Sequence, residues 1–446
     1  MAFDLIAFFH YNYVAYFKAK GQHYRLTPKR IAALTIFVLL YIPSEIINWV
    51  CFGLDEIFFP KYRQQQIEKP IFIIGNPRSG TTFLHTLMYK DEDTFTSVTT
   101  WEMIFAPSIT QRKIIWFFRD IINLFGLPVK KGLARINKKI NFNKNAHKIN
   151  INGPEEDEFM LIHIWSSSSL YSVYPLREET LRHFYFDRDI PAERRKKIMG
   201  FYKRIIQRHL FAHGGNKIYL SKNPSFSAKL ASLQEIFPDA RFIDLVRNPY
   251  DCMPSMMSYM ASGWKVFGDP LEPYPYKEEF FEVMRFYYLY PIEYFKNQDN
   301  VCSFVTYEEL LDQSDEIIFD LYEWLGLEIS PRYAEIVEEE NRRSKNYKSK
   351  HKYSLEDMGI TEDQIFKNFE SVFEFYEFET REHELPEPSL WRERGWKKTW
   401  KNRKLMRRER RLTRRLNRRL RRRDNVRSNN PCIRPNKTND QPSRLV

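Results

Sequence analysis

Residues 70–85, PIFIIGNPRSGTTFLH, constrain the fold more than any other part of the 446-residue chain. Four apolar residues lead into a G-x-x-x-x-G loop from Gly75 to Gly80, and an apolar pattern with helical spacing follows the loop. Successive backbone N–H groups in such a loop, together with the start of a helix, bind a phosphate or a sulfate. We therefore predict a buried strand, an anion-binding loop and a helix, in this order.

The charged residue of the loop indicates which anion it binds. Loops that bind nucleoside triphosphates carry a lysine after the second glycine, followed by a serine or threonine that contacts Mg²⁺. Here these two positions are Thr81 and Thr82, and the cation lies inside the loop, at Arg78. The loop therefore suits one compact anion better than a metal-bridged triphosphate. A P-loop-like nucleotide-dependent phosphotransferase, a kinase, remains the alternative interpretation.

Short apolar runs alternate with longer amphipathic segments in the middle of the chain, after residue 66. The runs are IFIIG, KIYLS, RFIDLV and CSFVTY. This alternation predicts βαβ units on a mostly parallel sheet. The expected fold class is α/β, with a P-loop-type central parallel β-sheet flanked by helices, apolar helices at the N-terminus and a basic helical tail at the C-terminus.

The two ends of the chain differ from its middle. Residues 392–427 contain 19 Lys and Arg against three acidic residues, whereas the rest of the chain has a small negative net charge. We predict apolar, membrane-associated helices over residues 1–65, a sulfate- or phosphate-binding body over 66–390, and a basic amphipathic helix with a disordered tail over 391–446. The tail carries no pattern of a known nucleic-acid-binding module, so no specific nucleic-acid partner is expected.

The apolar N-terminal segment bears on localisation. Its uninterrupted run, Ile31–Ile42, is shorter than the roughly 20 residues of a membrane span, and Pro43 and Glu45 follow it. We expect two helices that lie on a membrane or pack on the body, not one spanning helix. With the basic tail, this predicts a cytoplasmic protein bound peripherally to an anionic membrane surface. A membrane-anchored arrangement of the Golgi type is the alternative, because basic residues precede the segment and acidic residues follow it.

The loop motif PRSGTTFLH resembles the 5′-phosphosulfate loop of sulfotransferases that use 3′-phosphoadenosine 5′-phosphosulfate, hereafter PAPS. The match is best to the broad, largely bacterial branch of this family, and its motifs begin at residue 70 and extend through the body. The resemblance implies that PAPS is the sulfuryl donor and that no metal takes part. It also implies a donor-binding loop made of Arg78, Ser79, Gly80, Thr81 and Thr82.

A second signature of the same family lies in RFIDLVRNPYDCMPSMMSYM, where an arginine follows a predicted strand and a serine stands eight residues later. The resemblance implies that Arg247 and Ser255 bind the 3′-phosphate of the donor. Independently of the family, an arginine at the carboxyl end of a strand projects into the crevice where open α/β sheets bind ligands.

Three further matches add candidate residues. The Lys-x-Pro motif in LSKNPSF implies that Lys222 lies near the bridging oxygen of the sulfuryl donor. The segment TYEEL is similar to a family segment near the adenine, which makes Tyr307 a candidate for stacking on that base. The late motif HKYSLE implies that Lys348, Lys350 or His351 closes over the 3′-phosphate.

Sulfuryl transfer to an alcohol requires a base for the acceptor proton and cations for the charge that develops on the leaving group. Arg78 and Lys222 are the predicted cations. Cytosolic sulfotransferases carry a histidine two positions after this lysine, but Pro224 stands there in the present chain. The base must therefore come from another segment.

The acidic segment INGPEEDEFMLIH is the expected source of the base. Glu155 has the spacing of a helix cap, which leaves Glu156 as the first candidate and Glu158 as the second. His85 and His163 are weaker candidates.

These motifs predict a sulfotransferase that transfers the sulfuryl group of PAPS to a hydroxyl by in-line displacement. Aromatic residues make up 16% of the chain, which is high for a soluble domain and indicates apolar surfaces beyond the core. We therefore expect an apolar or lipid-like acceptor.

Overall fold

The computed structural model of the protein describes residues 2–18, 24–125, 150–176, 179–267, 269–298, 300–345, 354–381 and 383. The predicted basic tail, 391–446, lies outside the described residues, as do Lys348, Lys350 and His351. The boundaries between the three predicted regions stay predictions. Residues 1–65, however, belong to the same compact unit as the predicted body.

Five parallel strands form the central sheet, in the order β2-β3-β1-β4-β5. The strands are β1 (Ile71–Gly75), β2 (Phe95–Thr96), β3 (Ile218–Lys222), β4 (Arg241–Val246) and β5 (Cys302–Thr306). The α/β fold class and a strand in each of the four apolar runs are confirmed. The sequence analysis did not predict β2, because two residues are too few to show a period.

Helices connect the strands and cover both faces of the sheet. The α-helices are α1 (Leu5–Phe17), α2 (Pro28–Phe58), α3 (Thr81–Tyr89), α4 (Thr100–Phe105), α5 (Ile109–Leu124), α6 (Phe186–Asp189), α7 (Ala192–Ala212), α8 (Leu230–Ile236), α9 (Pro249–Phe267), α10 (Lys277–Tyr294), α11 (Tyr307–Asp312), α12 (Ser314–Leu325), α13 (Pro331–Ser344) and α14 (Glu362–Tyr376). Shorter 3₁₀ helices lie at Pro60–Gln64, Asp157–Ile164, Ser168–Ser172, Leu181–Tyr185 and Pro224–Ala228.

The sheet is buried on both faces, as parallel sheets are, and its side chains alternate between two cores. On one face, Ile243 and Leu245 of β4 pack in a cluster with Leu84 of α3 and Leu321 of α12. On the other face, the ring of Phe72 lies 5.6 Å from the ring of Phe242 and close to aromatic rings that follow β3 and α8. The continuous apolar runs of the sequence therefore mark strands covered on both sides.

Gly75 lets β1 end directly against β4. Its φ is +137°, and a Cβ at this position would lie 2.0 Å from the backbone oxygen of Leu245. Only glycine permits this close approach of two backbones. The chain can therefore turn at once from the sheet into the loop that follows.

The apolar N-terminal segment forms two helices that pack on the body. Helix α2 does not stop at Pro43, although a proline removes one backbone hydrogen bond from a helix interior. Contacts with the body hold the helix on both sides of this residue. The Tyr41 hydroxyl donates to the backbone oxygen of Ile162 at 2.8 Å, and Gln111 donates to the side chain of Asn48 at 2.8 Å. Among the described residues, α2 is the helix that is long and apolar enough to cross a membrane.

Asp244 is a buried carboxyl group in the centre of β4. Neither of its oxygens has a hydrogen-bond partner within the described part of the chain, and burial raises its pKa to about 8. The folded protein therefore holds this proton up to about pH 8, whereas the unfolded chain releases it near the ordinary value of 3.8. Because the folded state binds more protons between these values, stability is expected to fall as the pH rises from 4 to 8.

We predict that Asp244→Asn removes this pH dependence and raises the free energy of unfolding by several kcal/mol at pH 9. The reason is that, between the two pKa values, each unit of pH lowers the free energy of unfolding of the parent protein by about 1.4 kcal/mol. Thermal unfolding at pH 5 and pH 9 measures the effect, and Asp312→Asn, at an exposed position of α11, is the matched control. If Asp244→Asn and the parent protein showed the same difference in melting temperature between pH 5 and pH 9, Asp244 would ionise normally in the fold.

Candidate active site

The loop between β1 and α3 has the backbone of an anion-binding site. Arg78 and Gly80 both have positive φ angles, +69° and +91°. Helix α3 begins at Thr81, and no side chain caps its first turn. The free N–H groups at the start of the helix therefore point toward the turn and are available to an anion.

Gly80 also fixes where the loop lies relative to β5. A Cβ at Gly80 would lie 2.7 Å from the ring of Tyr307, which begins α11 at the end of β5. The guanidinium of Arg247 lies 4.4 Å above the same ring. Tyr307 is thus held between the loop and Arg247, and its predicted contact with the adenine stays a prediction.

Two buried polar atoms at this place have no hydrogen-bond partner among the described residues, Ser79 Oγ and Arg247 Nε. A buried donor without a partner costs free energy unless a ligand satisfies it. Arg247 lines the cleft, so an anion bound there can accept from its guanidinium, whereas Ser79 does not line the cleft. The residues present therefore fit a phosphate- or sulfate-bearing ligand.

The two predicted anion-binding motifs meet in one cleft. Arg78 Nε donates to Ser255 Oγ at 3.1 Å, although Arg78 comes from the loop and Ser255 from α9. Arg247 Nη1 donates to the backbone oxygen of Arg78 at 3.4 Å, and Arg247 Nη2 lies 3.6 Å from Asp251. The structure thus brings Arg78, Arg247 and Ser255 together, about 170 residues apart in sequence.

Lys222 connects the loop to the acidic segment. It is the last residue of β3 and is almost fully buried, and its Nζ lies 2.9 Å from Glu156 Oε1 and 3.4 Å from Thr82 Oγ1. Because β3 lies beside β1, the carboxyl ends of both strands open at the same edge of the sheet. The Glu156 side chain lines the cleft. A carboxylate and an ammonium group therefore stand together beside the anion-binding loop.

Glu158, the second predicted base, lies elsewhere. It is completely buried, pairs with Lys229 at 3.2 Å, and accepts hydrogen bonds from Ser167 and from the backbone of Ser168. The expected cap at Glu155 is also wrong, because the 3₁₀ helix begins at Asp157 with Glu156 as its N-cap. Glu156 lies before the helix in an extended conformation, with φ −73° and ψ 102°, whereas Glu158 lies within the helix, so their side chains leave the backbone in different directions. Glu156 therefore faces the cleft while Glu158 is buried in the body.

Neither predicted histidine lines the cleft. His85 is buried on α3 and contacts Ser97 at 3.0 Å, and burial lowers its pKa to about 3. His163 pairs with Glu45 of α2 at 2.7 Å. Both histidines have structural contacts only.

Asp157 is a supporting residue that the sequence analysis missed. Its buried carboxyl group accepts hydrogen bonds from the hydroxyls of Tyr202, Tyr219 and Ser221, and burial raises its pKa to about 6. These bonds fix the backbone next to Glu156. The sequence has four consecutive acidic residues here, and it gave no signal that would separate the buried ones from the one that lines the cleft.

The cleft has a volume of about 1110 Å³ and a mixed lining. Besides the charged residues and polar ones such as Ser168, Ser172 and Asn223, it is lined by aromatic and methionine side chains: Phe83, Phe159, Phe184, Met256, Tyr259 and Met260. These side chains suit an apolar ligand.

Among the described residues, one group has ligand atoms close enough to hold a metal ion, Glu102 with His209 and His213. It does not line the cleft. The buried guanidinium of Arg112 already pairs with Glu102 at 3.5 Å, and Thr99 donates to the same carboxylate. Because this positive charge opposes a second cation, we assign the group a structural role.

Comparisons with known proteins show the family to which the chain belongs. The model of a family described as the sulfotransferase family matches residues 70–331. A protein of Mycobacterium bovis named omega-hydroxy-beta-dihydromenaquinone-9 sulfotransferase Stf3 is 30% identical over 244 residues, which are 52% of this chain and 56% of that protein. The protein of that name from Mycobacterium tuberculosis gives the same values. The match thus spans little more than half the length of these curated relatives.

Two solved structures share the fold. Sulfotransferase STF9 from Mycobacterium avium superposes with a TM-score of 0.58 and 18% identity, over 74% of this chain and 82% of that one. Sulfotransferase STF1 from Mycobacterium tuberculosis gives a TM-score of 0.58 and 16% identity, over 79% and 88% of the two chains. At this low sequence identity, the similarity to the two structures shows the fold alone.

Proposed function

Because the chain belongs to the sulfotransferase family, we propose that it transfers the sulfuryl group of PAPS to the hydroxyl of an apolar or lipid-like acceptor. The observation that carries this proposal is the contact between Lys222 and Glu156 at 2.9 Å. Thr82 of the loop contacts Lys222, and Glu156 lines the same cleft as several aromatic and methionine side chains.

The loop and the second motif supply the groups that would hold the donor. The N–H groups at the start of α3 and the hydroxyls of Thr81 and Thr82 suit the 5′-phosphosulfate, and Arg247 and Ser255 suit the 3′-phosphate. Arg78 belongs to the loop and donates a hydrogen bond to Ser255, so it connects the two parts of the proposed donor site. PAPS would supply an activated sulfuryl group at this place. In this proposal no metal takes part.

The Lys222–Glu156 pair supplies the acid–base chemistry. In this proposal Glu156 Oε1 accepts the proton of the acceptor hydroxyl, which makes the hydroxyl oxygen a nucleophile. The ammonium group of Lys222 neutralises negative charge on the oxygen that leaves, and Thr82 positions that ammonium group. Before the acceptor binds, the same ion pair keeps both charges in place.

The aromatic and methionine side chains of the cleft support an apolar acceptor. Phe159, Phe184 and Met260 line the cleft, and a long aliphatic or isoprenoid chain gains free energy when such side chains remove it from water. The curated relatives are named for action on a hydroxylated menaquinone. The match covers 56% of the length of these relatives. For this chain, a lipid acceptor is therefore proposed and is not taken over from them. The predicted cytoplasmic location also stays a prediction.

A radiolabel assay tests the proposal. The purified protein, PAPS labelled with ³⁵S and a long-chain primary alcohol are expected to give a labelled, organic-soluble sulfate ester, with the same rate in the presence of EDTA. The matched control is the same assay with Mg²⁺ and with ATP labelled with ³²P at its γ-phosphate in place of PAPS. Transfer of ³²P without transfer of ³⁵S would support the phosphotransferase and reject the proposal.

A further inference from the structure

Helix α2 has its polar and apolar faces in an inverted arrangement. Four of its charged and amide side chains, Arg30, Glu45, Asn48 and Asp55, are buried against the body, whereas Lys29 in the first turn is exposed. The side exposed to solvent carries large apolar residues at helical spacing: Ile36, Leu39, Leu40, Ile46, Ile47, Val50 and Ile57. From Ile31 to Val50 the exposed positions include no charged residue. A helix of a water-soluble surface has the opposite pattern.

Helices α1 and α5 extend this apolar side. Within the described residues, 27 large apolar side chains are exposed, and 24 of them precede residue 126. On α1 the exposed residues include Ile6, Phe9, Tyr13 and Phe17, and on α5 they include Ile114, Phe117, Phe118 and Leu124. Scattered exposed apolar residues are normal, but a concentration on three neighbouring helices marks an interaction surface. We call the exposed apolar side chains of α1, α2 and α5 the docking face.

Helix α2 contacts both α1 and α5. Phe8 of α1 stacks on Tyr41 of α2, and the hydroxyls of Tyr16 and Thr35 lie 3.1 Å apart. Near the other end of α2, the carboxylate of Asp55 accepts hydrogen bonds from the first N–H groups of α5. The N-terminal half of α2 therefore lies beside α1 and its C-terminal half beside α5.

The body holds α2 along its whole length, which excludes a crossing of the bilayer by this helix in the observed fold. Arg30 donates to the backbone oxygen of Phe267 at 2.7 Å, and Asp55 pairs with Arg208 at 2.9 Å. These two contacts are 25 residues apart, about 38 Å of helix at about 1.5 Å per residue. The hydrocarbon core of a bilayer is about 30 Å thick. A spanning α2 would therefore pull the polar body into lipid.

The charge of the adjoining sequence identifies the occupant. Directly after the described end of α5, residues 126–149 contain seven Lys and Arg and no Asp or Glu. Apolar side chains next to clusters of Lys and Arg are the combination that binds an anionic lipid surface. A protein partner would not require this excess of positive charge beside an aliphatic face.

We propose that the docking face lies on an anionic lipid bilayer, with the axis of α2 in the plane of the membrane. The enzyme is then monotopic, with its apolar side chains in the interface and the sheet above it. This inference stands on the exposed surface and does not require the proposed sulfuryl transfer.

The path from the docking face to the cleft rests on the proposed function. Helix α9 carries Ser255 at the donor site and ends at Phe267, which contacts α2. Between these points Tyr259 lines the cleft and is 43% exposed, and the exposed Val266 lies two turns further on the same side. A lipid acceptor would therefore enter from the membrane along this side of α9.

Flotation of the full chain with vesicles, in the absence of PAPS, tests the docking face. The protein is expected to float with vesicles that contain phosphatidylglycerol, and to bind phosphatidylcholine vesicles at least tenfold more weakly. The variant Leu39→Gln/Leu40→Gln/Ile47→Gln is expected to bind on the order of 100-fold more weakly, because three apolar side chains no longer enter the lipid. These positions are exposed, and glutamine is a good helix former, so the fold should persist.

The control variant is Arg332→Gln/Lys367→Gln, which removes two exposed charges from α13 and α14, helices that pack against α12 and α10. It should float like the parent protein. If the triple variant also floats like the parent, or if the parent binds neither kind of vesicle, the docking face is not a membrane surface. A parent dimer that becomes a monomer in the triple variant, with no vesicle binding, would instead identify a second copy of the chain as the occupant.

Kinetics separate this inference from the proposed function. With a vesicle-embedded alcohol the triple variant should show at least a tenfold higher KM, whereas its kinetics with a short, water-soluble alcohol should match those of the parent. A protein that floats but transfers no sulfuryl group would reject the proposed function alone. Transfer to the soluble alcohol by a protein that does not float would reject the docking face alone.

Discussion

Replacement of Glu156 by Gln is expected to lower kcat by about 10²-fold to 10⁴-fold, the range by which a positioned base accelerates a proton transfer. The amide keeps the size of the side chain and one acceptor oxygen for Lys222, so the cleft should keep its shape. The affinity for 3′,5′-adenosine bisphosphate should change less than threefold. Initial rates with ³⁵S-labelled PAPS and a calorimetric titration of the bisphosphate measure the two quantities.

Glu155→Gln is the matched control, because it makes the same change at the neighbouring residue, and it should retain at least half of the activity. Lys222→Ala is expected to lower kcat by a similar factor, since it removes the charge that neutralises the leaving oxygen. The double variant should lose less than the product of the two single losses, because the residues act as a pair. A Glu156→Gln enzyme with the parent kcat would exclude Glu156 as the base.

The two carboxylates of the acidic segment show where sequence reasoning stops. Glu156 and Glu158 stand two positions apart in the same local pattern, and no periodicity distinguishes them. Their difference arises from partners far away in sequence, because Lys222 faces Glu156 and Lys229 faces Glu158. Long-range pairing of this kind becomes visible only when β3 is placed beside β1.

Features with a local physical cause were predictable. The strand, loop and helix around Gly75 follow from an apolar run, two glycines and a helical pattern, and β4 with Arg247 follows from a similar run. By contrast, α2 continues through Pro43 because contacts with the body offset the missing hydrogen bond. The burial of Asp244 in the middle of the run RFIDLV could not be predicted either, because an isolated acid in a strand more often faces water.

Arg247→Ala is expected to weaken the binding of 3′,5′-adenosine bisphosphate by about 100-fold, because a desolvated ion pair with a phosphate is lost. The parent protein should gain about 2.7 kcal/mol of stability at a ligand concentration of 100 times its Kd. At the same concentration the variant should gain about 0.4 kcal/mol, which follows from the same relation. A thermal shift assay with and without the bisphosphate measures both gains.

Arg78→Ala should have an effect of similar size, since its side chain reaches Ser255 in the same cluster. Arg285→Ala is the control: this arginine is an exposed partner of Glu282 on α10, outside the cleft, and its loss should leave the thermal shift unchanged. Because Arg247 contacts the backbone of Arg78, the double variant should bind more tightly than the sum of the two losses predicts. If Arg247→Ala kept the full thermal shift, the second motif would not hold the 3′-phosphate, and the ligand would have to bind through the loop alone.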